Sequence, residues 1–136
     1  SFVAVDDASL AGLGETVQAA WGDYNNDGQL DLMTAGKLFR NRGINTNNWL
    51  KVRLQGDGIS VNRSAIGAQV RIVLGSDVLS RQVEGATGQG SQNDPALHFG
   101  LGGRTAPVDL TIIWPDGSVQ TTNGIAVNQQ ITIEYN

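Results

Sequence analysis

"VDLTIIWPDGSVQ", residues 108–120, decides the fold. Val108, Leu110, Ile112 and Trp114 fall on every second position. Successive side chains of a strand point to opposite faces, so this spacing builds one apolar face. Pro115-Asp116-Gly117 then ends the run with turn chemistry, because proline fixes φ, aspartate bonds its own backbone and glycine accepts φ > 0. Working outward, "WLKVRLQ" sets Leu50, Val52 and Leu54 against Trp49, Lys51 and Arg53. "AQVRIVLG" repeats the pattern with Ala68, Val70, Ile72 and Leu74, and "ITIEY" closes it with Ile131, Ile133 and Tyr135. Weaker strand-like stretches lie near 78–84, 96–100 and 118–122, and Gly75-Ser76-Asp77 reads as a hairpin turn. The sum is about seven short antiparallel strands over residues 49–136, the pattern of a β-sandwich.

The composition agrees. Of 136 residues 18 are glycine, nearly twice the usual share of about 7%. Many glycines with few strong helix formers mean many turns between short strands. With 40% hydrophobic and 16% charged residues, the chain has enough apolar surface for a packed core. A net charge of −4 and a pI near 4.7 argue against nucleic acid, which requires a basic stripe. No apolar run approaches the roughly 18 residues of a membrane span, and no basic amphipathic stretch suits a membrane surface. With no cysteine, disulfides, thiolate metal sites and cysteine nucleophiles are all excluded. The absence of an initiator Met and of a signal peptide reads as a processed chain or a piece of a longer one.

Residues 1–48 differ from the rest. "FVAV", "ETVQAAW", "LDLMTAG" and "KLFRN" are four short strand candidates, and the polar tract "NRGINTNN" separates them from the sandwich. Four strands in under fifty residues bury only one face poorly. Such a unit is expected to lean on the sandwich, on an upstream region or on another molecule.

Between the second and third of those strands lies "WGDYNNDGQLDLMTAG", residues 21–36, in which Asp23, Asp27 and Asp31 recur every fourth residue. As a loop, Asp23-x-Asn25-x-Asp27-Gly28-Gln29-x-Asp31 places oxygen donors at positions 1, 3, 5 and 9, with the Gln29 backbone carbonyl at position 7. Gly28 supplies the sharp turn. An oxygen-only set suits a hard cation such as Ca²⁺ and not zinc or copper. An EF-hand would need a bidentate Glu at position 12, where this chain has Thr34, and its flanks are strand-like. The alternative is a solvated Asp/Asn/Gly turn. Three carboxylates within nine residues would repel one another without a cation, and the oxygen at Asp31 favours the cation site.

"AAWGDYNNDGQLDLMTAG" followed by "LFRNRG" resembles an FG-GAP or VCBS repeat, the calcium-loop unit of integrin-type β-propellers. "NNWLKVRLQG", "NRSAIGAQVRI", "LHFGLG" and "VDLTIIWPDGSVQ", in that order, resemble the ASPIC/UnbV domain that follows such repeats. The resemblance covers nearly the whole chain. It implies one repeat over residues 1–48 and a transthyretin-like sandwich over 49–136, with Asp23, Asn25, Asp27, Gln29 and Asp31 as the ligand positions. Three departures stand out: a single repeat where a closed propeller needs several, Ser64 where an acidic residue usually follows "NR", and "TGQGSQND" without the usual aromatic.

Other candidates are weaker. His98, the only histidine, lies in "ALHFGLG" and reads as a structural strand residue, because no GxSxG elbow accompanies it. The stretch "EGATGQGSQND", residues 84–94, reads as a crossover between sheets or as a ligand loop whose Gln92, Asn93 and Asp94 meet sugar hydroxyls. Trp114 falls on the apolar side, whereas Trp49 opens its strand on the polar side and is the better surface aromatic. Asn62-Arg63-Ser64 matches a glycosylation sequon. Lys37 and Lys51 are the only lysines. Either is a possible isopeptide partner, although Lys51 reads as facing solvent.

These readings converge on a secreted or cell-surface, non-enzymatic, calcium-binding β module acting in adhesion or assembly. Its expected partners are protein surfaces, including copies of itself in a filament whose residues 1–20 reach the next subunit. The alternatives are the C-terminal part of a larger propeller protein, a carbohydrate-binding module and an unrecognised hydrolase.

Overall fold

The computed structural model describes residue 13, residues 18–43 and residues 46–136. Ten strands and no helix occur among them: β1 (Ala19–Gly22), β2 (Asp31–Thr34), β3 (Lys37–Phe39), β4 (Asn48–Gln55), β5 (Gln69–Leu74), β6 (Asp77–Gln82), β7 (Leu97–Gly102), β8 (Val108–Ile113), β9 (Val119–Ile125) and β10 (Gln129–Glu134). They form three sheets, ordered β1-β2-β3, β10-β4-β7 and β6-β5-β8-β9. The "FVAV" candidate lies outside the described residues, as does most of the segment expected to reach a neighbouring subunit.

The second and third sheets share one core. Leu50, Val52 and Leu54 of β4, Leu97, Phe99 and Leu101 of β7 and Ile133 of β10 pack against Val70 and Ile72 of β5 and Val108, Leu110 and Ile112 of β8. This is the expected alternation, with every second residue of each strand meeting the facing sheet. Phe99, Leu50, Val52, Val70, Ile72, Leu110 and Ile112 are fully buried. Trp114 closes the end of the core, its ring edge-on to Tyr135 at 5.2 Å and its Nε1 donating to Gln120 Oε1 at 3.0 Å.

Turn chemistry acts where the sequence placed it. Gly75 adopts φ 66° in the tight β5–β6 hairpin, where Leu74 pairs with Asp77. The Pro115-Asp116-Gly117 turn is closed by Gly117 N donating to Trp114 O at 2.9 Å. The segment after β6 is the sheet crossover, since β6 and β7 belong to different sheets. One expectation is corrected: the sandwich is not wholly antiparallel, because β10 runs parallel to β4 from Gln129↔Leu50 to Glu134↔Gln55. Alternation fixes which face of a strand is buried and carries no information about the direction of its partner.

The first sheet rests on the outer face of the second. Asp94 N donates to Trp21 O at 2.9 Å and Trp21 N donates to Asn93 Oδ1 at 2.9 Å, so the crossover caps the edge of β1. The loop between β1 and β2 lies over β4, where a side chain at Gly28 would strike the Trp49 ring.

Candidate functional site: the acidic loop and the buried lysine beneath it

The loop from Asp23 to Leu30 is wound by its own carboxylates. Asp23 is buried, with Oδ1 accepting from Asp27 N at 3.1 Å and Oδ2 from Gly28 N at 3.0 Å. Gly28 sits at φ 84° and Asn26 at φ 57°, so the backbone turns through two left-handed positions in three residues. Asp31, only 1% exposed, accepts Tyr24 N on Oδ2 at 3.2 Å and Asn41 N on Oδ1 at 2.7 Å, which ties the loop to the chain beyond β3. Asp27 is more open. It accepts Asn25 Nδ2 at 2.7 Å and Gln29 N at 3.0 Å, and pairs with Arg40 at 3.2 Å. The hydrogen bond from Asn25 heads the causes that hold its carboxyl below the ordinary aspartate range, with the Gln29 amide and Arg40 adding to it.

Two side-chain oxygens of this loop, Asn25 Oδ1 and Gln29 Oε1, are buried without a hydrogen-bond partner among the described residues. A buried polar atom left unpaired costs about 1–3 kcal/mol. Both belong to the five positions read from the sequence as cation ligands. Among the described residues no three Asp, Glu, His or Cys side chains converge on one point. A cation here would therefore draw on amide oxygens beside the carboxylates. The carboxylates retain acceptor capacity, since each oxygen carries two lone pairs.

Beneath the loop the structure overturns the reading of Lys51 as solvent-facing: it is 2% exposed. The first sheet covers the side of β4 that alternation marks as wet. Lys51 Nζ donates to Asp23 O at 3.2 Å and to Asn26 Oδ1 at 3.1 Å. It lies 3.6 Å from Asp94 Oδ2 and 3.8 Å from Asp23 Oδ2. An ammonium taken out of water needs such partners, because an unpaired buried charge is strongly disfavoured.

Trp49 is likewise no open platform. It is half-buried, stands under Gly28 and stacks on His98 with ring centroids 6.3 Å apart and planes 15° from parallel. His98 lies opposite Lys51 across the β4–β7 pair. Burial is the largest influence on its imidazole and pushes the pKa down against the opposing pull of Asp23. Its Nδ1 is buried with no hydrogen-bond partner among the described residues.

Of the crossover side chains considered for sugar binding, Gln92 is exposed, whereas Asn93 and Asp94 are already engaged. Asn93 Oδ1 holds β1, while Asp94 Oδ1 accepts Ala96 N at 2.9 Å and its other oxygen faces Lys51. Asn62 of the sequon is exposed, but its amide pairs with both backbone groups of Ile66 at 2.9 and 3.0 Å. The outer face of the first sheet exposes Met33 and Leu38, which pair across β2 and β3. Tyr24 is exposed on the adjoining loop, while Trp21 pairs with Leu32 and is exposed on the opposite face.

Residues 58–136 match the family described as ASPIC and UnbV. The chain belongs to this family. The match covers β5 to β10 and lies wholly downstream of the acidic loop. This ASPIC/UnbV chain is also similar to cartilage acidic protein 1 of Homo sapiens, at 34% identity over 116 residues, 74% of this chain and 16% of that protein. Cartilage acidic protein 1 of Xenopus tropicalis is 30% identical over 129 residues, 83% of this chain and 18% of that protein. The Mus musculus protein of the same name is 32% identical over 111 residues, with 71% and 16% covered. The ASPIC/UnbV chain thus spans less than a fifth of the length of these curated relatives.

Proposed function

We propose that this chain is a secreted, non-catalytic β module in which Ca²⁺ orders the first sheet as a surface for adhesion or assembly. The observation that carries the reading is the pair of buried unpaired oxygens, Asn25 Oδ1 and Gln29 Oε1, in the acidic loop. Carboxylates drawn from Asp23, Asp27 and Asp31, no three of which converge on one point among the described residues, would complete the shell of the ion. A hard cation supplies the positive charge that these oxygens lack. The three short strands with their loop then correspond to one FG-GAP/VCBS-type repeat, a propeller-blade-like unit. Secretion is inferred from similarity to proteins named for cartilage.

The exposed Met33 and Leu38 on one face, with Tyr24 on the adjoining loop, support a protein partner on the first sheet. That partner is a neighbouring blade if the chain is the C-terminal part of a larger propeller protein. It is a second copy if the chain assembles with itself. Sedimentation with and without Ca²⁺ separates the two.

Calorimetry tests the cation. An ion held at 100 times its dissociation constant raises stability by about 2.7 kcal/mol. EDTA is therefore expected to lower the melting temperature, and Asp31→Ala to abolish the difference. Superimposable melting curves in Ca²⁺ and EDTA would refute the proposal.

A further inference from the structure

The buried lysine has an unusual set of neighbours. Lys51 Nζ touches one carboxamide, at Asn26 Oδ1 (3.1 Å), and two carboxylates, of Asp94 (3.6 Å) and Asp23 (3.8 Å). An amine, an amide and a carboxylate held together are the complete reactants and proton carrier for forming a second amide. We propose that Lys51 and Asn26 join in an intramolecular isopeptide bond that welds the acidic loop to β4.

The geometry supplies what the reaction lacks in water. Attack of an amine on an unactivated amide is very slow between separate molecules. Holding the two groups in contact is worth an effective concentration of about 10⁵–10⁸ M. Both partners are fixed. Lys51 lies within β4, paired to β10 at Gln130 and to β7 at His98. Asn26 is held in a left-handed conformation by the two amides just after it, Asp27 N and Gly28 N, which the Asp23 carboxylate binds. Lys51 is only 2% exposed, so the attacking amine is shielded from bulk water, while the Asn26 amide reaches it from the surface.

Each atom has a destination. The Lys51 ammonium gives a proton to the Asp94 carboxylate, which frees the lone pair on Nζ. That pair attacks Cγ of Asn26, forming the new C–N bond while the carbonyl oxygen takes up the charge. As the carbonyl reforms, the bond from Cγ to Nδ2 breaks and Asp94 returns its proton to the leaving nitrogen. The nitrogen departs as ammonia, which takes up the remaining amine proton to leave as ammonium. Asp94 ends as it began, no redox change occurs, and the chain loses the elements of one ammonia. Cation binding by the loop is not required, so the proposal stands or falls apart from the calcium reading.

Intact mass spectrometry of the full chain under denaturing conditions is the test. The expected mass is that of the sequence less one ammonia, and proteolysis should yield one branched fragment joining the peptides of Asn26 and Lys51. Lys51→Arg keeps the positive charge but not the nucleophile and should restore the full mass. Asp94→Ala should slow the loss, so that unreacted chain accumulates. An unmodified mass in the natural chain overturns the proposal. So does an ammonia loss that persists in Lys51→Arg, which marks a succinimide at an asparagine. Loss of one water instead would put the bond on Asp23 or Asp94 and equally overturn the assignment to Asn26. Mapping fragments from the natural chain gives the answer even where a variant folds poorly.

Discussion

Gly28 is where the loop and the sandwich are pressed together, and a single methyl group tests that contact. In Gly28→Ala the new Cβ would fall inside contact distance of Trp49 Nε1 and Cδ1, at a backbone φ of 84°. Two costs follow. A non-glycine residue in left-handed backbone costs about 1–2 kcal/mol. Forcing an extra carbon into a packed site costs about 1–3 kcal/mol, and Trp49 cannot swing aside without losing its stack on His98. The sum is about 2–5 kcal/mol if the contact is kept. The molecule escapes part of this by lifting the loop off β4, so the measured loss also bounds the free energy of docking. Urea unfolding followed by tryptophan fluorescence gives the loss, and amide hydrogen exchange shows whether β1–β3 opens ahead of the sandwich. In a Trp49→Ala background the steric part disappears, leaving about 1–2 kcal/mol for the backbone. The coupling between the two sites should therefore be about 1–3 kcal/mol. A Gly28→Ala protein within about 0.5 kcal/mol of wild type, or equal losses in both backgrounds, would refute the docking argument.

Phe99, fully buried between the sheets, should cost about 3–5 kcal/mol on truncation to Ala. A loss under about 1 kcal/mol by urea denaturation would mean that the sheets do not share a core there. Asp116 tests the acid limb: Tyr135 Oη donates to its Oδ2 at 2.6 Å, and this bond, followed by those from Ser118, holds the carboxyl below its ordinary value. Its contribution is fully present above the unfolded aspartate pKa and is lost as pH falls through the lower folded value. NMR titration of the Asp116 carboxyl should show its pKa rising in Tyr135→Phe, and no change would remove the phenol as the main cause.

What the sequence made legible follows its physics. The sandwich strands were readable because each has one wet and one dry face, and residues such as Val108, Leu110 and Ile112 carry that difference at period two. The crossover from residue 84 to 94 was readable from its length and glycines. Lys51 and Trp49 were misread for the same reason that the strands were read well. On β4 the outer face is covered by a further layer of the chain, and alternation marks a lysine there as wet. The hydrogen-bond network that removes its cost comes from Asp23 and Asn26, 28 and 25 residues away, and from Asp94 on the crossover. No local pattern encodes such partners. The parallel β10–β4 pair escaped reading on similar grounds, since pairing direction depends on the path of the chain between strands. In the loop the tight turn was legible from Gly28, but the burial of the Asn25 and Gln29 side-chain oxygens was not.

β4 is thus a wall shared by two structures, with Leu50, Val52 and Leu54 facing the core and Lys51 facing the loop. This placement sets how the two proposals bear on each other. A cation held by Asp23 and a lysine ammonium 3.8 Å from the same carboxylate repel one another, as like charges in partly screened surroundings do. Binding free energies are linked reciprocally, so an ion that disfavours the ammonium is itself disfavoured by it. Joining Lys51 to Asn26 replaces the ammonium with a neutral amide. The loop would keep its anchor on β4 and lose the competing charge, so that the covalent and the ionic fastening reinforce each other. Without the bond, Lys51 already supplies part of the positive charge that the carboxylates need, and the loop has less use for an ion. The mass of the natural chain therefore decides more than the presence of one bond: it also sets the charge that any cation meets beside Asp23.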